Sequence, residues 1–351
     1  MIKEKMTYRL LWSCLITGCL LLTDCADRPE EDLSQPEYEG PPLQLGAVTR
    51  TDGATSYSGN QDIRIYLTNE AGMVKEDGEF SASGWTSNLN VKEESQYYIY
   101  GFMPKTITGA TITYRPPTGE NYANGIDLSF TGLPAITTDD ICVVVGVQRV
   151  ASATSTANVT EGNYSYLSGI NTQNYVNLLM AHLYTGLEVK FKLDADYAKL
   201  RSIHLKECKL SYTYGTVSAT VNIRAGQGIG SPDFTKTSGS ETTFSLLETT
   251  DTEVVLDNTT TSTAVSLKQA YCAPCLFTDN TSITITSTYD VYDKKNIKLG
   301  ERTSVNKLNT AWPASTTAAP GLKKTVTLTV KPTYLYILSD NDLDNPVIQI
   351  E

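Results

Sequence analysis

Few residues of this chain have types that could do chemistry, and its two histidines come first among them. A Ser-His-Asp hydrolase would need His182 or His204 as its base, but no G-x-S-x-G nucleophile motif accompanies either. His204 lies in an alternating run over residues 203–206, which predicts an outward-facing histidine on a strand. Neither histidine has a matching cysteine or carboxylate cluster, so we expect no metal site and no cofactor.

Two short motifs are the other candidates for redox or metal chemistry. The C-x-x-C motif at 272–275 is followed by a turn-forming segment, whereas a redox enzyme would start a helix there. A zinc ribbon would need a second cysteine pair, so structural cysteines are favoured, with their pairing left open. Asp340, Asp342 and Asp344 are spaced like the start of a calcium loop, but Pro346 interrupts the pattern. A solvated turn explains the same carboxylates.

The remaining polar residues single out no catalytic pair. Scattered carboxylates could form a glycosidase pair, yet nothing distinguishes two of them. The 21 tyrosines could stack on sugar rings, although tyrosine is also common in strands. The sequence therefore predicts a protein that is not an enzyme, and a surface hydrolase is the least favoured alternative.

The N-terminal segment predicts export and lipidation. Three basic residues precede an apolar stretch at 10–22, which is shorter than the ~20 residues of a membrane-spanning helix but suits a signal peptide. A cysteine and an acidic tether follow, as in bacterial lipoproteins held to a membrane by acyl chains. Cys25 is the favoured lipidated residue, with a signal peptide at 1–24, although Asp24 stands where a small residue belongs. Cys19, preceded by Gly18, is the alternative.

Composition and patterning predict an all-β protein with antiparallel sheets. The chain has 351 residues and a net charge of −11, which disfavours a nucleic-acid partner, because phosphate binding needs a basic face. Ile63, Ile65 and Leu67 alternate with polar residues, and similar alternation recurs near 187–193 and 326–330. Helical periodicity is almost absent, except for two turns near 194–200. A Ser-, Thr- and Asn-rich loop at 151–173 separates two β-sandwich domains, at 51–180 and 181–351.

Several stretches taken together resemble the fimbrillin family of Bacteroidota, which comprises lipoprotein precursors of type V pili. They span nearly the whole mature chain in order, at 63–68, 97–104, 133–136, 144–147, 183–187, 197–205, 271–274 and 334–351. No single motif is diagnostic, because the specificity lies in the order of the motifs and in the lipoprotein leader. The resemblance implies two tandem transthyretin-like β-sandwiches.

The resemblance also implies an assembly mechanism. In such pilins a prosegment, here at 25–50, adds one strand to the N-terminal sandwich until an arginine-specific protease removes it. The corresponding strand carries Leu43, Leu45 and Ala47 toward the core, and Arg50 follows as the cleavage site. The C-terminal strand of another subunit then fills the groove. The donor residues here are Val347, Ile348, Gln349 and Ile350.

The partners implied are other pilin subunits, an arginine-specific protease and the outer membrane, reached through a palmitate-type anchor. The location is the outer membrane for the precursor and the cell surface, in fimbriae, after assembly. Two alternatives stay open: an anchor subunit of the pilus that keeps its prosegment, and a surface lipoprotein that binds glycans and never polymerises. The adhesion target is unknown.

Overall fold

The computed structural model describes residues 40–50, 61–105, 107, 111–115, 121–155, 157–170, 174–237, 239–277, 283–308, 320–333 and 342–350. All of them lie in one unit, Gly40–Glu351. The strands in the first half are β1 Leu43–Arg50, β2 Ile63–Asn69, β3 Gly72–Ser81, β4 Thr86–Ser87, β5 Gln96–Met103, β6 Thr111–Arg115, β7 Gly125–Pro134, β8 Ile136–Thr137, β9 Cys142–Val150, β10 Ser165–Leu167 and β11 Asn174–His182.

The strands in the second half are β12 Thr185–Leu193, β13 Arg201–Tyr212, β14 Thr216–Arg224, β15 Asp233–Lys236, β16 Thr242–Leu247, β17 Val254–Leu256, β18 Val265–Ser266, β19 Ala270–Cys272, β20 Thr284–Asp293, β21 Lys298–Lys307, β22 Lys323–Thr333 and β23 Asp342–Ile350. The helical turns described are 3-10 helices at Tyr122–Asn124, Tyr197–Lys199, Asn258–Thr260 and Pro274–Phe277. The all-β prediction is confirmed. No helix in the described ranges is long and apolar enough to cross a membrane.

The strands form four sheets. An eight-stranded sheet has the order β1-β11-β9-β5-β2-β3-β4, with β10 beside β5. A six-stranded sheet runs β23-β22-β12-β19-β8, with β18 beside β12, and a five-stranded sheet runs β16-β13-β20-β21, with β17 beside β13. The fourth sheet, β15-β14-β7-β6, joins strands from both halves of the chain.

Most neighbouring strands are antiparallel, as predicted, but two pairs are parallel. β1 runs parallel to β11, and β12 runs parallel to β22. Each pair joins segments that are far apart in the sequence, so no hairpin turn dictates their direction. Alternation within one strand cannot reveal this choice.

The alternation in β2 shows how the sequence builds the core. Ile63, Ile65 and Leu67 are fully buried, as their period predicts. Tyr66, expected to face solvent, is buried as well. Its ring packs on Phe102 of β5 at 6.3 Å between centroids, and Phe102 meets Phe130 of β7 edge-to-face at 5.5 Å. The four-stranded sheet thus covers the outer face of the eight-stranded one.

The segment predicted to form two helical turns is shorter in the structure. A 3-10 helix covers Tyr197–Lys199, and the Asp194 carboxylate accepts a hydrogen bond from the Tyr197 N–H at 3.0 Å. The carboxylate satisfies a backbone donor that has no partner within so short a helix.

Gly125 lies where β7 pairs closely with β14, and its backbone has a φ of +117°, which favours glycine. A Cβ atom there would lie 2.1 Å from the Ile223 carbonyl oxygen. We therefore expect Gly125→Ala to lower the free energy of unfolding by at least ~2 kcal/mol, measured by chemical denaturation. Gly230→Ala is the control, since a Cβ atom there meets nothing within 4 Å. Equal stability of the two variants would contradict this packing.

Candidate functional site

The site begins with β1, the strand that the family resemblance predicts to be removable. β1 occupies one end of the eight-stranded sheet and pairs with β11 from Leu43 to Arg50. Leu43, Leu45 and Val48 are buried, with exposed fractions of 0%, 5% and 4%. An edge strand with one apolar face contributes both main-chain hydrogen bonds and side chains to its sheet.

The third buried side chain is not the one that the sequence predicts. Ala47 was expected to face the core, but it is only half-buried and Val48 takes that place. The reason is a β-bulge, because Leu45 and Ala47 pair with the consecutive residues Val176 and Asn177. The bulge inserts Gly46 as an extra residue and shifts the alternation by one. A Cβ atom on Gly46 would lie 2.7 Å from the Asn177 side-chain oxygen, so the bulge favours glycine.

The start of β1 also contacts the opposite end of the same sheet. The Leu43 N–H donates to the Leu89 carbonyl at 2.7 Å, and the Val91 N–H donates to the Pro41 carbonyl at 3.2 Å. Residues 89–91 follow β4, the strand at the far end of the sheet order. β1 therefore joins the two ends of the curled sheet. Its loss would leave a groove between β11 and residues 89–91.

The end of β1 is held by an ion pair. Arg50 is the last residue of β1, and its Nη1 lies 2.6 Å from Oδ2 of Asp140. The side chains are 16% and 6% exposed, respectively. The structure thus places the predicted cleavage residue with its guanidinium directed into the protein. An arginine-specific protease could bind this side chain only after the Arg50–Asp140 ion pair had opened.

Asp140 belongs to a buried cluster with Cys142 and His182, so the prediction that neither histidine has a matching cysteine and carboxylate is wrong for His182. Its Oδ1 lies 2.8 Å from Nδ1 of His182 and 3.4 Å from Sγ of Cys142. The Cys142 sulfur is 3.4 Å from the same histidine nitrogen. The pKa of the nearby Tyr271 is raised above its ordinary value, first by burial and then by the charge of Asp140. Arg50, which hydrogen-bonds to this phenol, offsets part of that rise.

Strand register brings these residues together. Cys142 begins β9 and pairs directly with His182, the last residue of β11. Asp140 precedes Cys142 by two residues, so both side chains point to the same face. The Asp-x-Cys spacing was the signal in the sequence, but its histidine is 40 residues away and only the pairing of β9 with β11 reveals the cluster.

The predicted donor residues lie in β23. This strand pairs antiparallel with β22 and stands at the end of the six-stranded sheet. Ile348 is buried at 3% exposure, Gln349 is exposed and Ile350 is half-buried. Val347 pairs with Lys331 in the same ladder. In this structure β23 completes a sheet of its own chain.

Among the described residues, the C-x-x-C cysteines and His204 lie outside this cluster. Cys272 is buried at the end of β19, where burial raises the pKa of its thiol, and Cys275 lies in the 3-10 helix Pro274–Phe277. His204 lies on β13, as predicted, with its Nδ1 3.1 Å from Glu253 and its ring 4.1 Å from that of Tyr292. The lipidation residue Cys25 lies outside the described residues.

Comparison with known proteins finds no matching family model and no matching curated protein. Similar solved structures come from Bacteroides. A candidate cell adhesion protein of Bacteroides uniformis is 13% identical with a TM-score of 0.39, over 90% of this chain and 99% of that chain. A fimbrial protein of Bacteroides vulgatus is 13% identical with a TM-score of 0.35, over 88% and 98%.

A candidate polysaccharide-binding protein of Bacteroides thetaiotaomicron is 8% identical with a TM-score of 0.35, over 83% of this chain and 91% of that chain. The likeness is distant, so the function is inferred from the residues of this chain.

Proposed function

We propose that this chain is a structural, non-enzymatic subunit of a surface fimbria with a role in adhesion. Acyl chains on Cys25 hold the precursor at the outer membrane. An arginine-specific protease cuts after Arg50, and β1 leaves with the prosegment. β23 of another subunit, either a copy of this chain or a related pilin, then enters the groove.

The observation that carries the proposal is the position of β1 between the two ends of its sheet. It is a single strand near the N-terminal side of the unit, so one cut after Arg50 separates it from everything that follows. Its three buried side chains contribute about 1.5–3 kcal/mol each, or about 5–9 kcal/mol together. Without β1, that apolar groove and the edge of β11 would be open to another strand.

β23 has the properties that a replacement strand needs. It has nine residues, and β1 has eight. Ile348 and Ile350 alternate with the exposed Gln349, so both apolar side chains lie on one face of the strand and could enter an apolar groove together. As the end strand of its sheet, β23 is held by the ladder to β22 and can leave without splitting the sheet.

One observation favours the alternative of an anchor subunit that keeps β1. The Arg50 side chain is ion-paired with Asp140 and only 16% exposed. A subunit that must never be cut would protect its arginine in this way. The same ion pair would serve a cleaved subunit if β1 opens locally before the protease acts.

Limited digestion of the purified precursor with an arginine-specific protease tests the proposal. We expect one early cut after Arg50, seen by mass spectrometry, followed by loss of the prosegment and growth of oligomers in size-exclusion chromatography. A synthetic peptide of residues 342–351, added in excess, should occupy the groove and keep the cut protein monomeric. The matched control is the same peptide with Ile348 replaced by aspartate, which should not.

Arg50→Lys is the control for the protein, because it keeps the charge but removes the protease site. This variant should stay intact and monomeric under the same digestion. If the wild-type precursor is not cut at Arg50, or is cut and stays a stable monomer, the anchor subunit or the glycan-binding lipoprotein becomes the better assignment.

A further inference from the structure

Three ligand-type atoms converge beside Arg50. Oδ1 of Asp140, Sγ of Cys142 and Nδ1 of His182 are separated by 2.8, 3.4 and 3.4 Å. A point about 2.0–2.3 Å from all three exists, and those are the lengths of zinc bonds to oxygen, nitrogen and sulfur. All three residues are buried, and they can hold a metal ion together.

Hydrogen bonds satisfy these contacts when no ion is bound. Nδ1 of His182 and the thiol of Cys142 can each donate a proton to Oδ1 of Asp140, and the sulfur then only contacts the imidazole. With both protons removed, the same three atoms would present a carboxylate oxygen, a thiolate and an imidazole nitrogen to a metal ion bound beside the plane of the triangle.

The ligand chemistry selects the ion. A thiolate and an imidazole favour zinc over calcium or magnesium, which prefer oxygen ligands. Three protein ligands leave the fourth tetrahedral position to water, as in open zinc sites. The strands β9 and β11 fix two of the ligands directly opposite each other in their ladder, so the site is preformed.

The positive charge of Arg50 disfavours binding of a metal ion by these three residues. Its permanently charged guanidinium lies 2.6 Å from the other oxygen of Asp140. A divalent ion is neutralised by one carboxylate and one thiolate, so Arg50 would add an unbalanced positive charge in a buried place. Without Arg50, the two negative charges of the carboxylate and the thiolate equal the charge of the divalent ion.

We propose that Asp140, Cys142 and His182 form a zinc-type site that Arg50 blocks while β1 is in place. Departure of β1 and Arg50 then makes the site available in the mature subunit, a step that rests on the proposed function. The metal would tie β9 to β11, the strand next to the opened groove, and so replace the ion pair that cleavage removes.

Cobalt(II) titration of the purified precursor tests the site, because thiolate ligation gives a charge-transfer absorption band. The wild-type precursor should bind weakly. Arg50→Met, which keeps the aliphatic stem, and Arg50→Gln, which keeps a neutral donor, should bind one equivalent at least ~10-fold more tightly, as expected when one competing charge is removed. Zinc should then displace the cobalt and abolish the band.

Two further variants in the Arg50→Gln background locate the ligands. Cys142→Ser should abolish the band, and His204→Ala, which changes the histidine outside the cluster, should leave it intact. The proposal is overturned if no protein that is folded by circular dichroism gives the band, or if the band survives Cys142→Ser. The titration uses neither protease nor subunit assembly, so its failure would leave the fimbrial proposal standing, and failed strand exchange would leave a positive titration standing.

Discussion

Replacing Leu43 with aspartate is expected to detach β1 and make the uncut precursor oligomerise. Leu43 is fully buried, its N–H donates to Leu89, and its carbonyl accepts a hydrogen bond from the Ser87 hydroxyl. The substitution removes about 1.5–3 kcal/mol of apolar burial and adds an unpaired carboxylate that costs several kcal/mol more. Together these losses are comparable to the about 5–9 kcal/mol that all three buried side chains of β1 contribute.

Two measurements follow this change. Size-exclusion chromatography with light scattering should show oligomers, and hydrogen exchange should show loss of protection in β11, the neighbour of β1. Gln44→Asp is the matched control, because Gln44 is the next residue along the same strand and is only half-buried. A monomeric Leu43→Asp precursor with a protected β11 would show that the groove is not kept closed by β1.

The strands could be predicted from the sequence where local alternation decides the burial. Ile63, Ile65 and Leu67 are buried as their period requires. Alternation failed at Ala47 because a bulge intervenes. The bulge places Gly46 beside Asn177, where a Cβ atom would lie 2.7 Å from the side-chain oxygen, and these residues come together only in the folded sheet.

The buried cluster could not be predicted for a related reason. Cys142 and His182 meet because β9 pairs with β11 in one particular register. Arg50 reaches Asp140 because β1 adds to β11 in the parallel direction. Sheet order and strand direction are set by packing across the whole molecule, and no spacing within one segment encodes them. The sequence therefore predicted Arg50 as a cleavage residue, which stays a prediction, and it did not reveal Asp140 as the partner of Arg50.

The second large effect concerns Asp140, the partner of Arg50. Asp140→Asn should speed cleavage after Arg50 at least ~10-fold. Each ~1.4 kcal/mol of lost restraint raises tenfold the population of molecules in which β1 is locally open. Removing one partner of a buried ion pair costs about 3–5 kcal/mol in general, so part of that cost acting on β1 suffices. Cleavage follows the open population when opening and closing are fast.

The comparison with the neighbouring carboxylate isolates the cause. Asp139 is exposed and accepts a hydrogen bond from Gln61 at 3.2 Å, so Asp139→Asn removes an equal charge one residue away without touching Arg50. Mass spectrometry should show faster cutting after Arg50 in Asp140→Asn alone, with cutting after Arg149 in β9 unchanged. Equal acceleration at both arginines would mean that the variant loosens the whole fold. An unchanged rate of cutting after Arg50 would mean that the ion pair with Asp140 does not protect this residue from cleavage. Selective acceleration would instead make the Arg50–Asp140 pair the restraint that sets when the subunit becomes competent to accept a strand.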